Sequence, residues 1–116
     1  MSTAAGSVEP DFAQSANPYE DKIVWRLNST LKPTHLKVFN DSHKHAHHAP
    51  MANVASKETH FRLEIVSDAF EGKRLPMRHR MIYQMLGPEM QAEGGIHALQ
   101  LLTMTPSEWE TRQGSK

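Results

Sequence analysis

The chain has 116 residues, enough for one small domain and too few for two of ordinary size. Thirteen Lys and Arg balance thirteen Asp and Glu, so no net charge draws the molecule as a whole to nucleic acid or to an anionic membrane. No cysteine is present, which excludes disulfides and thiolate ligation by this chain alone, and no apolar run approaches the roughly 18 residues of a bilayer span.

Residues 1–16 are rich in small residues and poor in large apolar ones, so a flexible tail is expected there, with the folded domain over 17–112 and a flexible end at 113–116. Asn17, Pro18 and Glu20 occupy the N-cap, first and third positions of a predicted helix, in a variant of the capping box. Tyr19, Ile23, Leu27 and Leu31 recur at every fourth residue and give that helix one apolar stripe, which must end before Pro33. Thr34 to Asn40 alternates Leu36 and Val38 against Lys37 and predicts a first strand. A second strand is predicted over Thr59 to Ser67, with Phe61, Leu63 and Ile65 inward and Arg62 and Glu64 outward.

Past Gly72, the spacing of Arg78, Met81, Ile82, Met85 and Leu86 predicts a helix up to Gly87-Pro88, and a short turn is expected over Met90 to Glu93. Ile96 to Met104 reads as a buried third strand. Thr105-Pro106-Ser107-Glu108 is a capping box that opens a terminal helix and places Trp109 for packing. This order predicts an α+β single small domain with a three-stranded mixed sheet and helices packed on one face. A helix connects the second strand to the third, so those two should run parallel.

The first and second predicted strands are separated by a loop of about 18 residues that holds His43, His45, His47 and His48. Connections of this length in compact domains tend to be functional or disordered. Imidazole is the commonest protein ligand for borderline transition metals, so this cluster and His97 are the candidate metal ligands. Composition alone leaves a second reading open, because exposed polar loops collect histidines without binding anything. Of the others, His79 reads as structural or as part of a partner-facing basic patch, His60 as locally hydrogen-bonded, and His35 as solvent-exposed.

The sequence resembles the BolA family over about Tyr19 to Glu110. The residues that carry the likeness are Asn40 to His45, Glu58-Thr59-His60-Phe61-Arg62, Val66 to Gly72, Arg78-His79-Arg80, Ile96-His97-Ala98-Leu99 and Thr105 to Glu110. The run His45-Ala46-His47-His48-Ala49 is similar to fungal mitochondrial type-one members. The resemblance implies a fold similar to class II KH domains and a role in iron-sulfur cluster assembly or delivery with a monothiol glutaredoxin. It further implies a bridged 2Fe-2S cluster shared with glutaredoxin and glutathione. The ligands from this chain would be His97 and one loop histidine, of which His45 matches the family spacing best and His43, His47 and His48 are alternatives. Two imidazoles at one iron give a Rieske-like site, and this chain can supply imidazoles but no thiolates. Apo iron-sulfur client proteins are the further partners implied, with the free chain a monomer and no membrane contact. The fungal likeness implies a mitochondrial matrix address, while the absence of Lys and Arg from the first 17 residues leaves the cytosol open.

Lys73, Arg74, Arg78 and Arg80 form a basic cluster that could face a partner or nucleic acid. Some BolA-like proteins are DNA-binding regulators, but four charges give a modest, salt-sensitive attraction. The turn Gly72-Lys73-Arg74-Leu75 also lacks the second glycine of a KH backbone clamp. Nucleic acid is therefore not the expected partner. Neither a cysteine nucleophile nor a Gly-x-Ser-x-Gly elbow occurs, so a binding or delivery role is expected rather than an enzyme.

Overall fold

The computed structural model of the chain describes residues 8–42, 58–92 and 95–114. Helix α1 (Pro18–Leu31) leads into strands β1 (His35–Asn40) and β2 (His60–Val66) and a 3-10 turn (Asp68–Phe70). Helices α2 (Leu75–Met85) and α3 (Gly87–Gln91), strand β3 (Ala98–Met104) and helix α4 (Pro106–Gly114) follow. The sheet order is β1-β2-β3. β1 runs antiparallel to β2, with His35 opposite Val66 and Asn40 opposite Phe61, and β3 runs parallel to β2, with His60 opposite Ala98. The expected α+β fold with a mixed three-stranded sheet is therefore present.

The alternation read in β2 sets which side α1 and α2 cover, while α4 lies over the other. Phe61, Leu63 and Ile65 are buried together with Ile23, Leu27 and Leu31 of α1 and Ile82 of α2, and Leu36, Val38, Leu99 and Leu101 of the flanking strands pack against them. Each such side chain taken fully out of water contributes about 1.5–3 kcal/mol before entropy is subtracted. On the opposite face Trp109 of α4 stacks on His35 with ring centroids 4.4 Å apart, and His35 Nε2 lies 3.1 Å from Glu64 Oε1. The expectation of a solvent-exposed His35 is thus corrected: it sits on the face that α4 covers, between an indole and a carboxylate.

Three further differences from the sequence expectations have local physical causes. Asn17 is the N-cap of α1 but makes no side-chain cap hydrogen bond. Glu58, 39 residues away, accepts the Tyr19 amide at 3.0 Å and the Glu20 amide at 2.9 Å. A carboxylate there satisfies orphan donors and meets the positive end of the helix dipole. Pro88 does not merely end the preceding helix; it sits in the first turn of α3, where its missing N–H costs nothing. Strand β3 starts at Ala98 rather than Ile96, since the amides of His97 and Ala98 both donate to Thr59 O, at 2.7 and 3.1 Å, and one shared acceptor is not a ladder step.

Residues 8–16, expected as a tail, make defined contacts with α1: Arg26 Nε donates to Glu9 at 2.7 Å and Ser15 Oγ donates to Asp21 at 2.5 Å. Arg26 also pairs with the buried carboxylate of Glu89, which joins α1 to α3. These carboxylates hold the Arg26 guanidinium firmly in its charged form. No helix among the described residues is long and apolar enough to cross a membrane.

Candidate functional site

His97 is exposed, and the chain around it is tightly held. Ile96, immediately before it, is buried at 2% exposure and its amide donates to Glu89 O at 3.0 Å. Gly95, one residue earlier, lies so close to that carbonyl that a Cβ built there would stand 2.1 Å from Glu89 O. Only glycine fits at such an approach. With its own amide fixed on Thr59 O, His97 leaves the fold at a defined point. Among the described residues its imidazole has no hydrogen-bond partner, so neither ring nitrogen is already used. A neutral imidazole with a nitrogen to spare is what metal ligation requires.

The root of the histidine-rich segment is fastened to the same spot. Ser42, buried at 2% exposure, donates through Oγ to Asn40 Oδ1 at 2.6 Å and accepts the amides of Thr59 and His60 at 2.9 and 3.1 Å. Thr59 thus gives its N–H to Ser42 and its carbonyl to His97. At the far end of the segment, Glu58 is held by the start of α1. Asp41 carries the Arg62 guanidinium, with Nε to Oδ2 at 2.6 Å, and Arg62 lies over the Phe39 ring at 4.3 Å. That carboxylate raises the Arg62 pKa and keeps it charged.

His43, His45, His47 and His48 lie outside the described residues. In the sequence, His45 follows Ser42 by three residues. Of the predicted ligands, the structure therefore places His97, and places the residue from which the loop candidates depart. Among the described residues no three His, Asp or Glu side chains form a metal-binding group. His60 does bond locally, its Nδ1 lying 2.9 Å from Thr59 Oγ1, and its ring stands nearly perpendicular to that of His97, with centroids 6.3 Å apart.

The predicted basic surface is smaller than expected. Lys73, Arg74 and Arg80 are exposed, but Arg78 is 6% exposed and faces inward. It lies one helical turn before buried Ile82, so the same face that buries Ile82 buries the arginine stem. Its Nε donates to Lys73 O at 2.7 Å and its Nη1 to Thr103 O at 3.0 Å, while Glu108 receives both terminal nitrogens at 2.8 and 3.1 Å. Glu108 also accepts the Thr105 amide at 3.0 Å and donates its own amide to Thr105 Oγ1 at 3.2 Å, the reciprocal capping box expected from the sequence. Arg78 first, then the Thr105 amide, hold the Glu108 carboxyl well below the usual range, at about 2. Beside the three exposed cations stand exposed Leu75, Met77 and Tyr83. A shallow groove of about 560 Å³ runs along α2 and α3 past His79, Arg80 and Tyr83.

The residues that sequence reasoning left without a role are Ser42, Glu58, Thr59 and Gly95. All but Gly95 fall inside the family-like segments, but nothing in a linear reading says that Thr59 ties Ser42 to the His97 backbone or that Glu58 caps α1.

A family model described as BolA-like protein matches residues 27–108. The chain belongs to the BolA family. It is 45% identical over 91 residues to the UV-induced protein uvi31 of Schizosaccharomyces pombe, an alignment that covers 77% of this chain and 87% of that one. It is 46% identical over 89 residues to SufE-like protein 1, chloroplastic/mitochondrial, of Arabidopsis thaliana, covering 75% of this chain but only 24% of that longer protein. Among solved structures, BolA1 from Arabidopsis thaliana superposes with a TM-score of 0.66 at 36% identity, covering 87% of this chain and 97% of the other. The BolA fold thus accounts for the whole arrangement of α1 to α4 around the mixed sheet.

Proposed function

We propose that this BolA-family chain is an iron-sulfur cluster assembly or delivery factor. It binds a monothiol glutaredoxin and co-ligates a bridged 2Fe-2S cluster through His97 and a loop histidine, with His45 the first candidate. The observation that supports the reading is the Ser42–Thr59–His97 hydrogen-bond relay, which holds Ser42, the residue before the histidine-rich segment, and His97, whose exposed imidazole has no hydrogen-bond partner among the described residues. Two neutral imidazoles at one iron would give the cluster a raised, Rieske-like potential. The thiolates must come from glutaredoxin and glutathione, because this chain has none.

The exposed cations Lys73, Arg74 and Arg80, together with Leu75, Met77 and Tyr83, form a face of mixed basic and apolar character suited to a protein partner. A nucleic-acid role draws less support, since Arg78 is spent inside the fold and only three cations of the cluster remain at the surface. The chloroplastic/mitochondrial description of the SufE-like relative agrees with a mitochondrial setting for this chain.

The test is reconstitution with iron and sulfide, with and without a monothiol glutaredoxin and glutathione, followed by visible circular dichroism. The expected result is a stable 2Fe-2S spectrum only in the mixture. A stoichiometric cluster on the isolated chain, without added thiols, would overturn the two-component reading.

A further inference from the structure

We infer that His60 is a positioning residue for His97: its ring, fixed by Thr59, sets the direction in which the His97 imidazole is presented. The inference rests on the proposed ligand role of His97 and adds a residue to that site. Three observations carry it. His60 belongs to β2 and is paired opposite Ala98, so its backbone is set by the sheet immediately beside the residue that follows His97. Its Nδ1 lies 2.9 Å from Thr59 Oγ1, which limits rotation of the ring. The two imidazoles meet edge to face, with centroids 6.3 Å apart at an interplanar angle of 75°, within the range that such aromatic pairs prefer.

Thr59 coordinates the pair. Its carbonyl holds the His97 backbone, its hydroxyl engages the His60 ring, and its amide is tied to Ser42 at the root of the histidine-rich segment. Main-chain anchoring alone fixes where the His97 Cα sits but leaves its side-chain torsions free, because the ring is exposed and makes no hydrogen bond among the described residues. The ring of His60 is the described feature that narrows those torsions. A ligand already turned toward its metal loses less freedom on binding, and ligands held by a supporting shell retain metal better.

The test compares His60→Ala with His60→Phe, which keeps an aromatic edge and removes the ring nitrogens. In the free chain, proton nuclear magnetic resonance of the His97 ring should show a ring-current displacement that is lost in His60→Ala and kept in His60→Phe, while sheet amides stay in place in both. In the reconstituted glutaredoxin complex, His60→Ala should speed cluster loss to a chelator about three- to tenfold, the scale of one such ring contact, and His60→Phe should restore the parent rate. Both variants should keep the nitrogen hyperfine pattern of the reduced cluster. Unchanged His97 ring protons and an unchanged release rate in His60→Ala would sink the positioning role. Loss of one nitrogen coupling in His60→Phe would overturn it differently, by making His60 a ligand. If His97→Ala instead leaves the hyperfine pattern intact, the proposed ligand role fails, and the ring-proton comparison in the free chain still decides whether His60 orients His97.

Discussion

The main-chain N–H of His97 donates to the carbonyl oxygen of Thr59 at 2.7 Å, one residue before β3 takes up its pairing with β2. Since the Thr59 amide in turn rests on Ser42 Oγ, the two ends of the candidate site share one residue. Removing the hydroxyl in Ser42→Ala leaves the Thr59 and His60 amides without their buried acceptor. Each unsatisfied buried amide costs about 1–3 kcal/mol, reduced where water enters, so a net loss of about 2 kcal/mol is expected. Urea unfolding and amide exchange at Thr59 and His60 measure this, and unchanged exchange at both amides would refute the shared-anchor account.

Gly95 controls the approach to His97 from the other side. In Gly95→Ala the new Cβ would meet Glu89 O at 2.1 Å, which is backbone and cannot swing aside. The backbone at Gly95 and Ile96 has to shift, at a cost of about 1–3 kcal/mol. The expected outcome is a lower denaturation midpoint together with displaced amide resonances at Ile96 and His97. A variant of parent stability and unshifted resonances would show that the close approach does not govern the backbone there.

How far the sequence carried these assignments depends on whether the signal was local. The period-four stripe of α1, the alternation of β2 and the Thr105–Glu108 capping box are local patterns, and the structure contains each of them. The cap of α1 is not local: Glu58 accepts the Tyr19 amide from 39 residues away while the Asn17 side chain makes no cap hydrogen bond, which no window of neighbours can reveal. Arg78 was misplaced for a related reason. Its charge argued for the surface, while its spacing from Ile82 argued for the interior, and the spacing prevailed once Glu108 and two carbonyls arrived to satisfy the guanidinium. His97 was legible as a residue, but the relay that presents it was not.

The two arginines of the Arg78-His79-Arg80 motif should accordingly part company. Arg78→Met strips Glu108 and the carbonyls of Lys73 and Thr103 of their donor and frees α4, with an expected loss of about 2–3 kcal/mol by chemical denaturation. Arg80→Glu touches an exposed position, so stability should change by no more than about 0.5 kcal/mol. Calorimetric titration with apo-glutaredoxin should instead show weakened, salt-sensitive binding for Arg80→Glu. Equal stability losses in the two variants would contradict the division between an internal and a surface arginine.

The same ion pair gives a pH dependence of defined sign. The Glu108 pKa is lowered on folding, from an ordinary value near 4.5 to about 2, so its contribution is complete above the ordinary value and is lost as pH falls from about 4.5 toward 2. The side chain is 48% exposed, so solvent screening limits the contribution to about 1 kcal/mol. Glu20 acts in the opposite sense, because burial and then the charges of Glu58 and Asp21 raise its pKa. Comparing parent with Glu108→Gln separates the two: the parent's stability advantage at pH 6 should shrink on acidification and vanish near pH 2. An advantage that persists at pH 2 would remove the Arg78–Glu108 pair as its source.

The histidines should respond unequally to removal. His97 is presented by a backbone that Thr59, Glu89 and the sheet hold in place, and among the described residues no other histidine occupies an equivalent position. His45 has His43, His47 and His48 within three residues along the chain, so the sequence offers alternatives to it as the proposed loop ligand. His97→Ala should therefore abolish the Rieske-like signature of the reduced glutaredoxin complex, whereas His45→Ala should weaken it and leave a residual signal through His43 or His47. Removing His43, His45, His47 and His48 together should then match His97→Ala. Binding to apo-glutaredoxin should survive all of these changes, because in the proposed complex the docking contacts are those of the basic and apolar face of α2, not metal ligation. Electron paramagnetic resonance of each reduced complex, alongside calorimetric titration without iron, separates ligation from docking. A His97→Ala complex that kept the parent's mixed nitrogen-sulfur spectrum would rule out His97 as the ligand.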